Sequence, residues 1–306
     1  MNFMDQSFVA KLSQHGFVRA QGADARTFLQ GQLSNDLRRL SADRAQLSSY
    51  NSPKGRMLAV LHLIADADDV VIELHHSVLG ATLKRLRMFV LRAKVTLEDI
   101  SSACCALGLA GPQAAEWLRA QALPAPAAAL ETAAAGELVV MRRLGDVPRY
   151  SVHGPAAAID ALHAQWQQHA QGSERDWQRL DILAGVPTVF SETVDHFVPQ
   201  MANLDRLGGI SFDKGCYTGQ EIVARLHYLG QLKRRMFRSR VDGHASVTPG
   251  TAIYDAGETQ AVGEVLQSAN DGDGCLLSVV LQLSHAGSAQ LRLGSADGPL
   301  IAPPEA

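Results

Sequence analysis

The segment from Asp213 to Arg225, DKGCYTGQEIVAR, contains residue types that could do chemistry. Thr218 and Glu221 have the spacing of a capping box, in which the Thr hydroxyl accepts from a first-turn amide and the Glu reaches back to the cap amide. The pattern predicts a helix that starts at Thr218, with Cys216 just before its positive end. That position and the nearby Lys214 both favour a thiolate, so Cys216 is a candidate reactive thiol. The alternative is a capped helix with a buried, inert cysteine.

A run of basic residues begins in the same segment. From Lys214 to Arg240 there are seven lysines and arginines and one acid, a local charge of +6, so the rest of this chain of net charge −3 sums to −9. The seven are Lys214, Arg225, Lys233, Arg234, Arg235, Arg238 and Arg240. Such a run suggests an anionic ligand or partner, but a solvated face balanced by acids from elsewhere explains it equally. A second cluster, between Lys84 and Lys94, alternates with apolar residues and is typical of an amphipathic helix.

Other motifs of known chemistry are missing from the sequence. It has no Walker A, G-x-G-x-x-G or G-x-S-x-G motif. The eleven histidines include no H-x-x-x-H pair, so no metal site is predicted. The four cysteines form no C-x-x-C, which favours a reducing cytoplasm. No apolar run reaches the ~18 residues of a membrane helix, so no membrane partner is expected.

The elements that must position these residues fall into two patterns along the chain. Strand and helix patterns alternate over the first two-thirds of the 306 residues, and hydrophobic residues make up 46%, as in globular proteins. Leu58 to Ile64 and Val70 to Leu74 predict a hairpin, and Ser77 predicts the cap of a helix that runs to Val90. After Gly230, several short strand patterns separated by Gly, Asn and Asp predict a small barrel or sandwich.

A weak internal repeat lies in the first part. Gly22 starts the spacing G-x-x-A-x-x-Φ-L after a predicted strand, Gly111 starts a second copy, and Gly154 starts a poorer third. Glycine suits a strand-to-helix turn with positive φ. The repeat suggests a duplicated α+β unit, although chance could produce one match. Further on, Trp177 falls on a predicted helix, where it would be either a core residue or a stacking wall for a flat ligand.

At this point the sequence resembles a known family. The stretch FVPQMANLDRLGGISFDKGCYTGQEIVAR, with the motif from Lys214 to Glu221, is similar to the signature region of the YgfZ-type folate-binding proteins, which are relatives of the glycine-cleavage T-protein, an aminomethyltransferase. A weaker resemblance covers GADARTFLQGQLSNDL and NSPKGRM. It implies an α+β fold in which two intertwined ferredoxin-like subdomains and a C-terminal small β-barrel form a three-part ring with a central channel. The implied units are 1–102, completed by about 178–230, then 103–177, then 231–306.

The resemblance also implies a function and a set of site residues. Tetrahydrofolate, or a one-carbon derivative, would bind in the channel. The protein would be a cytoplasmic accessory factor for iron–sulfur cluster assembly or repair, with iron–sulfur client proteins and, indirectly, tRNA-modifying radical enzymes as partners. Cys216 is the implied reactive thiol. The implied folate contacts are Lys214, Tyr217, Gln220, Glu221, Arg225, Trp177 and, in the place of a second tryptophan, His15.

One departure from the T-protein pattern bears on catalysis. T-proteins carry an Asp pair after a turn that corresponds here to Lys54-Gly55, but this chain continues Arg56-Met57-Leu58-Ala59. Because no carboxylate stands near Leu58 or Ala59 to act as acid or base, an active aminomethyltransferase is not predicted. Two alternatives stay open. One is a folate-dependent one-carbon transferase that uses Glu221 or Cys216. The other is a tRNA- or protein-docking module that uses the basic run.

Overall fold

The computed structural model describes residues 6–166, 171–243 and 246–305. Within these ranges the chain forms three five-stranded antiparallel sheets and six α-helices. One large hydrophobic cluster includes Leu61 of the first sheet, Ala110 of the second and Val280 of the third, together with Trp177. The three sheets therefore share a core, although the second and third also have smaller clusters of their own.

The first sheet is built from the N-terminal part of the chain, with strand order β3-β4-β5-β2-β6. Its strands are β2 (His15–Gln21), β3 (Gln46–Asn51), β4 (Met57–Asp66), β5 (Asp69–His75) and β6 (Thr96–Asp99). The predicted hairpin is confirmed, since Asp66 pairs with Asp69 at its tip. Helices α1 (Ala25–Gln30) and α2 (His76–Met88) pack on this sheet. The predicted cap of α2 is wrong, because His75 is the cap and its ring accepts from the amide of Ser77.

The second sheet has the order β1-β7-β10-β9-β8. Its strands are β1 (Phe8–Lys11), β7 (Cys104–Ala110), β8 (Thr132–Ala135), β9 (Leu138–Arg142) and β10 (Arg149–Pro155), with helices α3 (Ala114–Ala120) and α4 (Ala156–Trp166). The repeat is reproduced at Gly22 and Gly111, which have φ of +117° and +97° between a strand and a helix. Its third copy is wrong, because Gly154 lies inside β10 and pairs with Cys105.

The third sheet contains only residues after position 233, with the order β11-β14-β13-β12-β15. Its strands are β11 (Arg234–Asp242), β12 (Ala252–Tyr254), β13 (Gly263–Asp271), β14 (Gly274–Gln282) and β15 (Arg292–Leu293). Helix α5 (Glu174–Leu183) packs on β13 and β14, and helix α6 (Gln220–Tyr228) precedes β11. The predicted strand-rich C-terminal part is therefore confirmed. None of the described helices has the length and apolar composition to cross a membrane. The proposed unit boundaries stay a prediction.

Candidate functional site

A cleft is bordered by all three sheets. Its cavity volume is about 50 Å³. Its wall includes His15 and His62 from the first sheet, Arg143 from the end of β9, Gln178 from α5 and Gln267 from β13. The cleft therefore joins parts of the chain that lie far apart in sequence.

Strand alternation explains how polar groups reach the cleft from an apolar strand. Successive side chains of β4 point to opposite faces. Ala59 and Leu61 are fully buried in the core, whereas Val60 and His62 line the cleft. On the neighbouring strand, Glu73 lies directly opposite His62. The two polar residues that interrupt apolar strands thus meet on the cleft side of the sheet.

Glu73 is the centre of a buried charged cluster. Its carboxylate is 1% exposed and accepts from Arg143 Nη2 at 2.5 Å (Oε1) and 2.7 Å (Oε2). His15 Nδ1 contacts Oε1, and His153 Nε2 lies 3.9 Å from Oε2. Arg143 Nε also donates to Ser151 Oγ at 2.8 Å. This cluster connects the first sheet to the second. Burial is the largest single influence on Glu73 and opposes its ionisation, but Arg143, His15 and His153 together outweigh it and hold the pKa of this carboxyl well below its usual range.

Three histidines, His62, His75 and His153, have lowered pKa values. Burial, reinforced by the charge of Arg143, puts the pKa of His62 well below its usual range. Burial lowers the pKa of His153 and of His75 to about 4. These imidazoles are therefore neutral near pH 7. A neutral imidazole has one donor and one acceptor nitrogen, so His62, on the cleft wall, can bind a polar heterocycle without adding charge.

Lys214, predicted to contact folate, has a structural role in this fold. It is 6% exposed, and its Nζ donates to the carbonyls of Gln30 (2.7 Å), Leu33 (2.6 Å) and Asn35 (2.8 Å) at the end of α1. Burial lowers the pKa of Lys214 to about 8. All three ammonium protons are thus used to tie the motif segment to the first sheet's helix. Tyr217 is buried beside it, with its ring centroid 5.1 Å from Nζ, and burial raises the pKa of the phenol.

The predicted capping box at Thr218 is wrong. Helix α6 begins at Gln220, and its cap is Gly219, in the left-handed region at φ +80° with no side-chain cap bond. The reason is a close contact with the turn before β4. A Cβ at position 219 would lie 2.8 Å from Gly55 Cα and would clash with the carbonyl of Ser52. The two family-like segments, NSPKGRM and KGCYTGQE, therefore pack backbone to backbone. The alternative of a buried cysteine is also wrong, because Cys216 is exposed.

Trp177 lies in the core of the structure. It is 0% exposed, and the guanidinium carbon of Arg149 lies 5.2 Å from its ring centroid. Trp177 is therefore a core residue, as one of the two interpretations of the sequence predicted. Its contact with folate stays a prediction. Its helix, α5, has a capping box formed by Ser173 and Asp176, which the S-x-x-D spacing could have revealed.

The basic run divides into paired and unpaired residues. Arg235 binds Asp205 at 2.8 Å, Arg238 binds Glu305 at 3.3 Å, and Arg240 binds Asp242 at 2.7 Å. For these three the balanced-face interpretation is right. In the part of the chain that the structure describes, the other exposed or half-buried members have no acidic partner. They are Arg225, Lys233 and Arg234. Gln220 and Glu221 open α6; Gln220 is half-buried and Glu221 is exposed.

The chain is similar in sequence to known proteins over most of its length. No protein-family model matches the chain. The chain is 32% identical over 288 residues to the tRNA-modifying protein YgfZ of Serratia proteamaculans, covering 92% of this chain and 86% of that one. It is also 32% identical to the protein of that name from Edwardsiella ictaluri, covering 90% and 85%. The chain belongs to the YgfZ family. The identity of about a third extends over all three sheets.

A solved structure gives the same fold. The glycine cleavage system aminomethyltransferase T from Bartonella henselae superposes with a TM-score of 0.77 at 15% identity, covering 99% of this chain and 86% of that one. At this identity the likeness concerns the fold alone, a mixed α/β architecture. Among the described residues, no group of three or more His, Cys, Asp or Glu side chains is placed to hold a metal ion.

Proposed function

We propose that this protein binds tetrahydrofolate, or a one-carbon derivative of it, in the cleft between the three sheets. The observation that carries the proposal is the composition of this cleft, where neutral His62 and the amide of Gln178 lie beside an apolar wall formed by Val60 and Ile182. The Gln267 amide is already bonded to Val186, Thr188 and Ser278 and helps to shape the wall. The chemistry of this lining suits a flat, hydrogen-bonding heterocycle, and the cavity of about 50 Å³ must widen by side-chain movement to admit one. In this proposal the two α+β units are the ferredoxin-like subdomains, the third sheet belongs to the barrel, and the cleft is part of the central channel of the ring.

The proposed folate contacts differ in how they reach the cleft. His15 lines it directly. Lys214 and Tyr217 would act indirectly, by holding the motif segment against α1. Gln220, Glu221 and Arg225 lie on α6, and they would contact only the outer end of a bound folate. Trp177 would contact the ligand only if its ring were uncovered.

We further propose that the protein is not an active aminomethyltransferase. Leu58 is half-buried and Ala59 is buried on β4, so neither place supplies a carboxylate. The cleft contains Glu73 and Asp181, and both are ion-paired to an arginine. Glu73 is a weak base, because its surroundings hold its pKa well below the usual range, and the Asp181 carboxylate is bonded to Arg149 at 2.8 Å. The proposed role is instead that of an accessory factor for iron–sulfur cluster assembly or repair that affects tRNA-modifying enzymes. The name of the relatives and the exposed Cys216 support it.

A ligand titration tests the binding proposal. The melting temperature is measured with tetrahydrofolate and with its methylene and formyl derivatives, for the wild type and for His62→Ala/Gln178→Ala. A ligand present at 100 times its Kd adds about 2.7 kcal/mol to the free energy of unfolding, so the wild-type melting temperature rises by several degrees. The double variant loses most of that rise, whereas Lys84→Gln, on the exposed side of α2, keeps it. The proposal is rejected when no reduced folate at millimolar concentration changes the melting of the wild type.

A further inference from the structure

The unpaired basic residues lie around helix α6 and the turn that packs on it. A methyl group at Gly55 would lie only 2.7 Å from Ile222 Cβ, so the turn that carries Lys54 and Arg56 rests on the first turn of α6. Arg225 follows Ile222 by three positions, and residues three apart are neighbours on a helix surface. Arg225 therefore lies on the side of α6 that faces this turn. Lys54, Arg56 and Arg225 are all exposed.

The same surface continues to the start of β11. Arg56 and Arg234 line one recess, which has a volume of about 510 Å³. Glu264 lies in this recess, but it is bonded to His196 Nδ1 at 2.5 Å. Two further acids lie on this surface: the exposed Glu221, on the first turn of α6, and the half-buried Asp195, whose carboxylate accepts from Ser52 Oγ at 2.6 Å. We name the set Lys54, Arg56, Arg225, Lys233 and Arg234 the α6 face. None of the five cations has a described ion pair, and the three acids Glu264, Glu221 and Asp195 leave this surface with a net positive charge.

Aromatic rings stand at the C-terminal end of α6. His227 stacks on Phe212 with ring centroids 3.7 Å apart and planes 12° apart. Tyr228 meets His227 edge to face at 4.7 Å and is 62% exposed. An exposed aromatic ring braced by a second ring, beside several cations, offers a place for an unpaired base to stack. The basic cluster on α2 also has an exposed ring, Phe89 (41%), 5.8 Å from the guanidinium carbon of Arg85, but among the described residues no second ring packs against it. Its other exposed apolar neighbours, Met88 (66%) and Leu91 (88%), are aliphatic.

We propose that the α6 face binds RNA, with its cations on the phosphates and Tyr228 stacked on an unpaired base. An acidic protein surface would satisfy the cations but would leave the braced aromatic pair without a function, so the observations favour RNA with a single-stranded loop. The proposal does not depend on folate binding, because no residue of the α6 face lines the cleft. Arg225, which is also a proposed contact for the outer end of folate, is kept unchanged in the test variant below.

Fluorescence anisotropy with a labelled RNA hairpin that has an unpaired loop tests this proposal. The test variant is Lys54→Gln/Lys233→Gln/Arg234→Gln, and the matched control is Lys84→Gln/Arg92→Gln/Lys94→Gln on and after α2, which removes the same charges. We expect the test variant to bind at least ten-fold more weakly and the control to bind like the wild type. Each lost phosphate contact lowers the slope of log K against log salt by ~0.7–0.9, so the slope falls by about 2.

Tyr228→Ala separates stacking from charge. This variant should weaken binding to the looped hairpin and leave binding to a fully paired RNA duplex unchanged. Circular dichroism and melting establish that each variant is folded. The proposal is overturned when the α2 variant loses as much affinity as the test variant, when polyglutamate competes as well as the hairpin does, or when the wild type does not bind the hairpin at low salt. The melting response to tetrahydrofolate is recorded on the same variants and should be unchanged.

Discussion

The cleft and the α6 face use charge in opposite ways. In the cleft, Glu73 and Arg143 are both almost completely buried and neutralise each other across two sheets. On the α6 face, Lys54 and Arg225 are exposed and have no described acidic partner. A buried pair fixes geometry but costs a great deal when one partner is removed, whereas exposed cations add little to stability and stay available to a ligand. The difference indicates that the buried pair fixes the walls of the cleft, whereas the cations of the α6 face are themselves available to a ligand.

Removal of Arg143 should lower the free energy of unfolding more than any other change predicted here. A small effect would contradict the contrast between the buried pair and the exposed cations. Arg143→Met leaves the Glu73 carboxylate buried without its partner, so the free energy of unfolding should fall by about 3–5 kcal/mol. Urea denaturation at pH 7 measures it. The double variant Glu73→Gln/Arg143→Met removes both charges and should recover much of the loss. An Arg143→Met variant as stable as Arg225→Gln would show that the buried pair is not a structural link.

Lys214 extends the comparison to the motif segment. Lys214→Met removes a buried ammonium group that donates to three carbonyls of the α1 end, and hydrogen bonds to charged groups are worth about 1.5–3 kcal/mol each. Part of this loss is offset, because the variant no longer has to bury an ammonium group. We therefore expect the free energy of unfolding, measured by urea denaturation, to fall by about 3 kcal/mol. Lys233→Met, an exposed control in the same basic run, should change stability by less than about 0.5 kcal/mol. Equal effects at the two positions would contradict the structural role of Lys214.

Acidification should lower the free energy of unfolding through the buried cluster around Glu73, and not through the exposed cations of the α6 face. His153 has a pKa of about 4 in the folded protein, below the ordinary value of 6.5. Because the unfolded chain binds the proton more tightly, the contribution of His153 to stability is complete above pH 6.5 and is lost as the pH falls towards 4. Unfolding measured at several pH values should show this decline, and His153→Gln should make it shallower. An unchanged slope would exclude His153 as a source of the pH dependence.

The sequence predicted the strands and helices of the fold better than it predicted the site. The hairpin of β4 and β5 and the start of the C-terminal strands follow from alternation and turn residues, which are local signals. The roles of Lys214 and Gly219 depend on contacts with residues more than a hundred positions away in the sequence, namely Asn35 and Gly55, so no local pattern could reveal them. Glu73 and His62 had one sequence signal, since each interrupts an apolar strand. The motif segment directed attention to Cys216, and the structure does place that thiol at the surface.

The smallest effect on stability should come from a substitution of Cys216. Its side chain is exposed, so it can be changed without disturbing the buried charged cluster. Cys216→Ser should change the free energy of unfolding by less than about 0.5 kcal/mol, because the side chain is exposed. Cys216 should still be the first cysteine that limited iodoacetamide treatment modifies. Cys104 and Cys105 are half-buried and Cys275 is buried. Burial raises the pKa of Cys104 to about 11 and also raises that of Cys275, so both react slowly.

The same variant tests the proposed accessory role. In a strain that lacks its own homologue, Cys216→Ser should fail to restore the activity of an iron–sulfur enzyme and tRNA thiolation, although the protein is folded and binds folate like the wild type. Full rescue by Cys216→Ser would remove the thiol from the function and leave ligand binding in the cleft to account for it. Loss of rescue together with loss of folate binding would instead show that the motif segment acts through the shape of the cleft, because Cys216 follows Lys214 by two positions and Lys214 holds that segment against α1.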